Sequence, residues 1–162
     1  MWVSPACSTS LAPRSERMEP TVFRTALEAD VPALAAMNWQ LIRDEAHRNP
    51  MTVDELVVRM AGWLAGQYQA VVFEQAGHII GYALYRRDVD YVYLRQMFVR
   101  SDYRRKGVGR RAIDRLRREV WGATPVRVEV LIGNASGLAF WRAVGFVDYC
   151  VTLKLPISPT RV

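Results

Sequence analysis

The spacing of apolar positions divides the chain into a strand, two helices, a three-stranded meander and a second run of alternating helices and strands. Val22 and Phe23 give Thr21 to Leu27 a weak alternation that predicts a first strand. Asp30 then precedes Val31-Pro32, an N-cap followed by proline in the first turn. Leu34, Met37, Leu41 and Ile42 recur at helical spacing, so this helix buries one face, exposes Gln40, Arg43 and Asp44, and stops near Asn49-Pro50. Thr52-Val53-Asp54-Glu55 matches a capping box and opens a second helix that runs to about Ala65.

Gln69 to Glu74 and Ile79 to Arg86 are rich in Val, Ile, Tyr and Phe and meet around Gln75-Ala76-Gly77, which predicts a hairpin. A turn at Asp88-Val89-Asp90 adds a third strand, Tyr91 to Val99. Val108, Ala112, Ile113, Leu116 and Val120 mark a helix ending near Trp121, and the β-branched run Val126 to Ile132 reads as a buried strand. Ser136 to Val144 forms a short helix that Gly145 can terminate, and Phe146 to Leu155 closes the series as a strand.

Composition bounds this picture. With 162 residues, five Trp, seven Tyr and five Phe, the chain suffices for one well-packed core and not for two ordinary domains. The domain is expected over residues 21–157, with a disordered tail over 1–20, where prolines and serines interrupt any apolar period, and a short tail over 158–162. Neither a secretory signal nor about 20 consecutive apolar residues is found, so no membrane association and a cytoplasmic location are expected. Two cysteines, Cys7 and Cys150, are too few for a disulfide framework or a metal cluster, and no metal is expected. The net charge of +6 has many of its cations between Arg95 and Arg118, which suits either an anionic ligand or a solvated arginine-rich helix face.

Arg104-Arg105-Lys106-Gly107-Val108-Gly109 falls where the third meander strand gives way to a helix. The first amides of a helix lack intrahelical acceptors and lie at the positive end of its dipole, so a pyrophosphate could dock there. Gly107 and Gly109 have no side chain to obstruct its approach to the amides between Arg105 and Arg110. The string is not a Walker loop, because no Gly-Lys-Ser or Gly-Lys-Thr follows, and it lacks the context of a dinucleotide fingerprint.

The run from Met97 to Gly109 resembles the strand, loop and helix start of the acetyl-CoA site of the GNAT acetyltransferase superfamily. Phe23 to Asp30 is similar to that family's first strand and turn, and Asn134 with Phe140-Trp141-Arg142-Ala143-Val144-Gly145-Phe146 is similar to its C-terminal motif. The resemblance covers about Val22 to Leu155. It implies an α/β (α+β) fold, with a mixed, mostly antiparallel sheet of six or seven strands, about four flanking helices, and a splay between the fourth and fifth strands.

The resemblance further implies acetyl-CoA as cosubstrate, with the pantetheine arm in the splay. Met97 and Val99 would bond its amides, and the backbone amide of Phe98 or a neighbour would polarise the thioester carbonyl. Arg104, Arg105, Lys106, Gly107, Val108, Gly109 and Arg110 would hold the pyrophosphate, and Asn134, Phe140 and Trp141 would complete the donor site. Helix capping is the alternative role for Asn134, and core packing for the side chains of Phe98 and Val99.

The acetyl group would pass directly to a primary amine of a small molecule or peptide through a tetrahedral oxyanion, with no protein nucleophile; Cys150 is accordingly read as a small packed residue. Trp141 stands where many relatives carry a tyrosine that protonates the departing sulfur, and an indole N–H is a poor acid. Tyr149 is a substitute candidate, although a thiol of pKa about 8.5 leaves tolerably without help. The third meander strand also carries no carboxylate, which leaves Glu129, or Gln96 acting through water, as base candidates. Deprotonating a lysine-like amine at pH 7 costs about 4.6 kcal/mol and an α-amine about 1, so sparse base equipment leans toward weakly basic amines.

His47 and His78 form no evident pair. Two other classes remain at this point: a non-catalytic acyl-CoA-binding module, and a nucleic-acid surface, which no accompanying motif supports. A homodimer is the expected assembly.

Overall fold

The structure is a computed structural model, and it describes residues 19–155. The expected tails over 1–20 and 158–162, and Cys7, lie wholly or almost wholly outside the described residues. The elements run β1 (Val22–Thr25), α1 (Val31–Asp44), α2 (Val53–Ala65), β2 (Tyr68–Gln75), β3 (His78–Arg87), β4 (Val92–Val99), α3 (Val108–Leu116), β5 (Val126–Val128) and α4 (Ala135–Ala143). The strands form one sheet in the order β1-β2-β3-β4-β5, antiparallel up to β4 and parallel between β4 and β5.

The meander follows from its sequence: Val71, Phe73, Ile80, Ala83, Tyr85, Val92 and Leu94 turn to one face, where α3, Trp121 and Val144 cover them. Ala70, Val72, Tyr82, Leu84 and Phe98 turn to the other and pack on α1 and α2. The hairpin turn uses positive φ at Ala76 (50°) and Gly77 (75°). The capping box forms as expected: the Glu55 amide donates to Thr52 Oγ1 at 3.3 Å, and the Thr52 amide to Glu55 Oε2 at 2.7 Å.

Asp30 serves differently from the expected cap of α1. Its carboxylate accepts from the Leu27 amide at 2.7 Å and from both terminal nitrogens of Arg24 at 2.7 and 3.0 Å, tying β1 to the start of α1.

Further expectations need correction. The buried strand expected over Val126 to Ile132 shortens to Val126–Val128, and Ile132 is exposed. The sheet has five strands among the described residues, not six or seven, because the predicted closing strand Phe146 to Leu155 does not pair. β5 pairs over three residues only, so it offers this segment a very short backbone ladder, and Val147, Tyr149, Val151, Leu153 and Leu155 stay exposed. Cys150 is exposed with them and is not packed. The helix expected to reach Trp121 is α-helical only to Leu116 and ends in a π-helical turn, Arg117–Trp121, which carries Trp121 into the core.

Candidate active site

Two features built by the fold converge on the C-terminal half of β4. The first is an open strand edge. β4 and β5 pair at Val92 with Val126, Tyr93 with Arg127 and Leu94 with Val128, and then part. On the other side of β4, the register to β3 passes from Tyr85–Leu94 to Leu84–Gln96, so Arg95 is an extra, bulged residue where the splay begins. The Arg100 amide donates to Ile80 O at 2.9 Å. Alternation along an antiparallel ladder therefore turns the amides and carbonyls of Phe98 toward β3 and those of Met97 and Val99 toward the gap.

The second feature is a bare helix start. Gly107 caps α3 at φ 76° with no side-chain cap, and the first helical bond runs from the Arg111 amide to Gly107 O at 3.0 Å. The amides of Val108, Gly109 and Arg110 therefore have no acceptor within the helix. A Cβ on Gly109 would stand 3.0 Å from Phe140 and 3.8 Å from the Met97 methyl, so this glycine lets α3 close on both α4 and β4. Arg105 holds φ 63°, a left-handed conformation in the turn that leads to Gly107.

The cations of this loop divide by role. Arg104 donates from Nε to Val99 O at 2.6 Å and pairs through its terminal nitrogen with Asp44. Arg110 donates to Ala143 O at 2.9 Å, and Arg111 to Lys106 O at 3.0 Å. These guanidinium groups brace the cradle, whereas Arg105 and Lys106 make no ion pair among the described residues. Trp141 lies between Phe140 and Phe146, with ring centroids 5.0 and 5.1 Å away.

Asn134 caps α4, accepting from the Gly137 amide at 2.8 Å, while its Nδ2 donates to Glu45 Oε1 at 3.2 Å. Glu45 follows α1 on the opposite face of the sheet from α4, so this bond joins the two faces at the splay. Burial pushes the Glu45 carboxyl above the usual range, against the Asn134 hydrogen bond and the His47 charge, and with the Asp44 charge. Desolvation acts on neighbouring Asp44 too, yet the bonds from Arg104 and Gln40 hold it below the usual range.

On the α1 side a buried polar chain underlies β4. The Tyr82 hydroxyl donates to Gln96 Oε1 at 3.0 Å, and Gln96 Nε2 donates to Asn38 Oδ1 at 2.8 Å. Asn38 is fully buried, and its Nδ2 finds no partner among the described residues. Burial raises the Tyr82 hydroxyl far above its ordinary value, so it remains a donor at all ordinary pH. Gln96 thus lies beside the gap, with its amide orientation fixed from both ends.

The other base and acid candidates stand farther along. Glu129 is exposed just beyond β5 and accepts from the Tyr93 hydroxyl at 3.1 Å. Tyr149 is exposed and receives a long 3.4 Å bond from Arg127. His47 and His78 are exposed, one near the end of α1 and the other at the start of β3. A cavity of about 510 Å³ lies elsewhere, between Thr21, Phe23 and the arginine-rich outer side of α3.

The Acetyltransferase (GNAT) family matches residues 34–146, a span that includes β4, the cradle, β5 and α4. The chain belongs to the GNAT acetyltransferase family. The protein is therefore an acyltransferase by family, and the cradle and splay fall within the matched span.

No curated protein matches this GNAT chain in sequence. Solved structures resemble it in fold. The aminoglycoside N-acetyltransferase AAC(6')-Iy in complex with CoA is 17% identical with a TM-score of 0.70, the match covering 91% of this chain and 99% of that one. The aminoglycoside 6'-N-acetyltransferase AAC(6')-Ih from Acinetobacter baumannii is 15% identical, TM-score 0.66, over 86% and 100%. An acetyltransferase from Thermus thermophilus is 17% identical, TM-score 0.66, over 78% and 86%.

Glu45 is the residue that reading the sequence for site chemistry passed over. It looked like one of several polar side chains at the end of α1, and only the contact with Asn134, 89 positions away, sets it apart.

Proposed function

We propose that the domain over residues 21–157 is an N-acetyltransferase that binds acetyl-CoA and transfers its acetyl group to a primary amine of a small molecule or peptide. The observation that carries this reading is the uncapped start of α3 closing, through Gly109, onto the open edge of β4. The residues present fit the cosubstrate: free amides at Val108, Gly109 and Arg110 suit a pyrophosphate, and the outward groups of Met97 with the Val99 amide suit a chain of secondary amides, the Val99 carbonyl already accepting from Arg104. Since Phe98 bonds toward β3, the amide that polarises the thioester carbonyl is assigned to a neighbour of Phe98 that faces the gap.

The acetyl carbon lies at the splay, and the amine approaches from the face covered by α1 and α2. It attacks the thioester, the carbonyl oxygen takes the negative charge, and collapse expels the thiolate. Trp141 packs among aromatic rings in this account and protonates nothing. Solved neighbours include an AAC(6')-Iy complex with a bisubstrate analogue joining CoA to acetylneamine, which supports a small-molecule amine as the class. We also read the enzyme as cytoplasmic and homodimeric; among the described residues no helix is long and apolar enough to cross a membrane.

Calorimetric titration with acetyl-CoA, followed by thiol release over a panel of aminoglycosides, amino-acid amides and free peptide α-amines, tests the proposal. Binding with turnover on one class supports it. Tight binding with no turnover on any amine would instead favour a non-catalytic acyl-CoA-binding module.

A further inference from the structure

The face of the splay that admits the amine carries few groups able to accept its proton. Asp44 is held by Arg104, Glu129 is exposed beyond the end of β5, and the Asn38–Gln96–Tyr82 chain is uncharged. Glu45 differs from each. It is half-buried, makes no ion pair among the described residues, and reaches across the splay to Asn134 at 3.2 Å. Seven positions separate it from Asn38, nearly two helical turns, so both project from one face of α1, the face that supplies Asn38 to Gln96.

Resting on the reading of the protein as an N-acetyltransferase, we propose that Glu45 is the general base of the reaction, accepting the proton of the attacking amine through a carboxylate oriented by Asn134. The amine nitrogen forms a bond to the acetyl carbon as the carbonyl π pair moves to oxygen. The nitrogen, now positively charged, loses a proton to Glu45, directly or through one water. The oxyanion collapses, the C–S bond breaks with its pair on sulfur, and the products are the acetamide, the CoA thiolate and a protonated Glu45 that returns its proton to solvent.

A carboxylate in ordinary water is too weak a base to help much, and burial corrects this by making the proton bind more tightly. Besides burial, the groups that set the balance are the Asn134 amide and the His47 charge, which lower the value, and the Asp44 charge, which raises it; Asp44 is itself paired with Arg104 of the cradle. Burial dominates, so the folded protein holds the Glu45 proton to higher pH than the unfolded chain does. Stability from this group is therefore full below the ordinary carboxylate pKa and is lost as pH rises through the elevated value. Above that value the ionised carboxylate weakens the fold, which suits a chemical role better than a structural one.

The test compares the wild type with Glu45→Gln and Asn134→Ser. Measurements are acetyl-CoA affinity, thermal midpoint at pH 7, and the pH profile of kcat/KM with neamine, glycinamide or a tripeptide α-amine, whichever turns over. In Glu45→Gln, kcat/KM is expected to fall about 100-fold, the lower range of general-base effects. The limb lying below the amine's own ionisation should vanish, acetyl-CoA affinity should stay within about twofold, and the midpoint should not drop. Asn134→Ser keeps an α4 cap but removes the Nδ2 donor that lowers the Glu45 pKa, so the same limb should move to higher pH.

An active wild type whose Glu45→Gln variant keeps its rate and its limb overturns the role of Glu45 and leaves the acetyltransferase reading intact. If Glu45→Gln does not fold, the Asn134→Ser profile decides, and an unmoved limb overturns the proposal. A wild type that binds acetyl-CoA but transfers to no amine sinks both readings.

Discussion

At the scale of single residues, the site depends on what two glycines lack and on what one tryptophan cannot do. A Cβ added at Gly109 would lie only 3.0 Å from the Phe140 ring. Gly109→Ala should push the start of α3 away from α4 and β4 and weaken acetyl-CoA binding about tenfold, or 1.4 kcal/mol, as calorimetry would report. Gly107 holds φ 76°, a conformation that other residues adopt at a cost; the sequence showed only that its missing side chain leaves the helix amides open, and the left-handed turn comes from the fold. For Trp141 the expectation is a small effect. Trp141→Phe should keep turnover within about tenfold of the wild type, since loss of a true general acid costs roughly 10² or more. A larger fall with unchanged acetyl-CoA affinity would restore the indole to the chemistry. Asn134 had been open between capping and ligand contact, and the structure gives it the cap together with a second bond, to Glu45, that no spacing rule could disclose.

Among the elements, those fixed by local chemistry were legible and those fixed by a partner were not. The capping box at Thr52, the hairpin around Gly77 and the amphipathic start of α3 all follow from residues within one or two turns of each other. The segment from Phe146 to Leu155 has strand-like alternation, but a strand exists only when a neighbour offers its backbone, and β5 ends at Val128. The bulge at Arg95 was equally hidden, because it arises from register between β3 and β4 and leaves no mark in the period of either strand. Gly81 tests how tightly those two strands are set. An added Cβ would lie 2.4 Å from Phe98 O and 2.8 Å from the Phe73 ring, so Gly81→Ala should lower stability by about 1 to 3 kcal/mol in denaturant titration. It should also weaken acetyl-CoA binding, because the displaced backbone forms the edge of the gap.

Over the whole molecule, one sheet separates a face covered by α3 and α4, which the proposal makes the donor side, from a face covered by α1 and α2, which it makes the acceptor side, and β4 and β5 part between them. The family could be recognised because the segment that most resembles it is a continuous string from Met97 to Gly109, inside the matched span. The acceptor side resisted reading because it is assembled from α1, β3, β4 and α4, which meet only in the fold. The central claim is that the amides opening α3 and the free edge of β4 form one acetyl-CoA site. Amide chemical-shift mapping by NMR during titration with acetyl-CoA tests it most directly. The account predicts saturable shifts concentrated at Val108, Gly109 and Arg110 together with Met97 and Val99. Shifts confined to the outer arginines of α3, or none at these five amides at saturation, would contradict it.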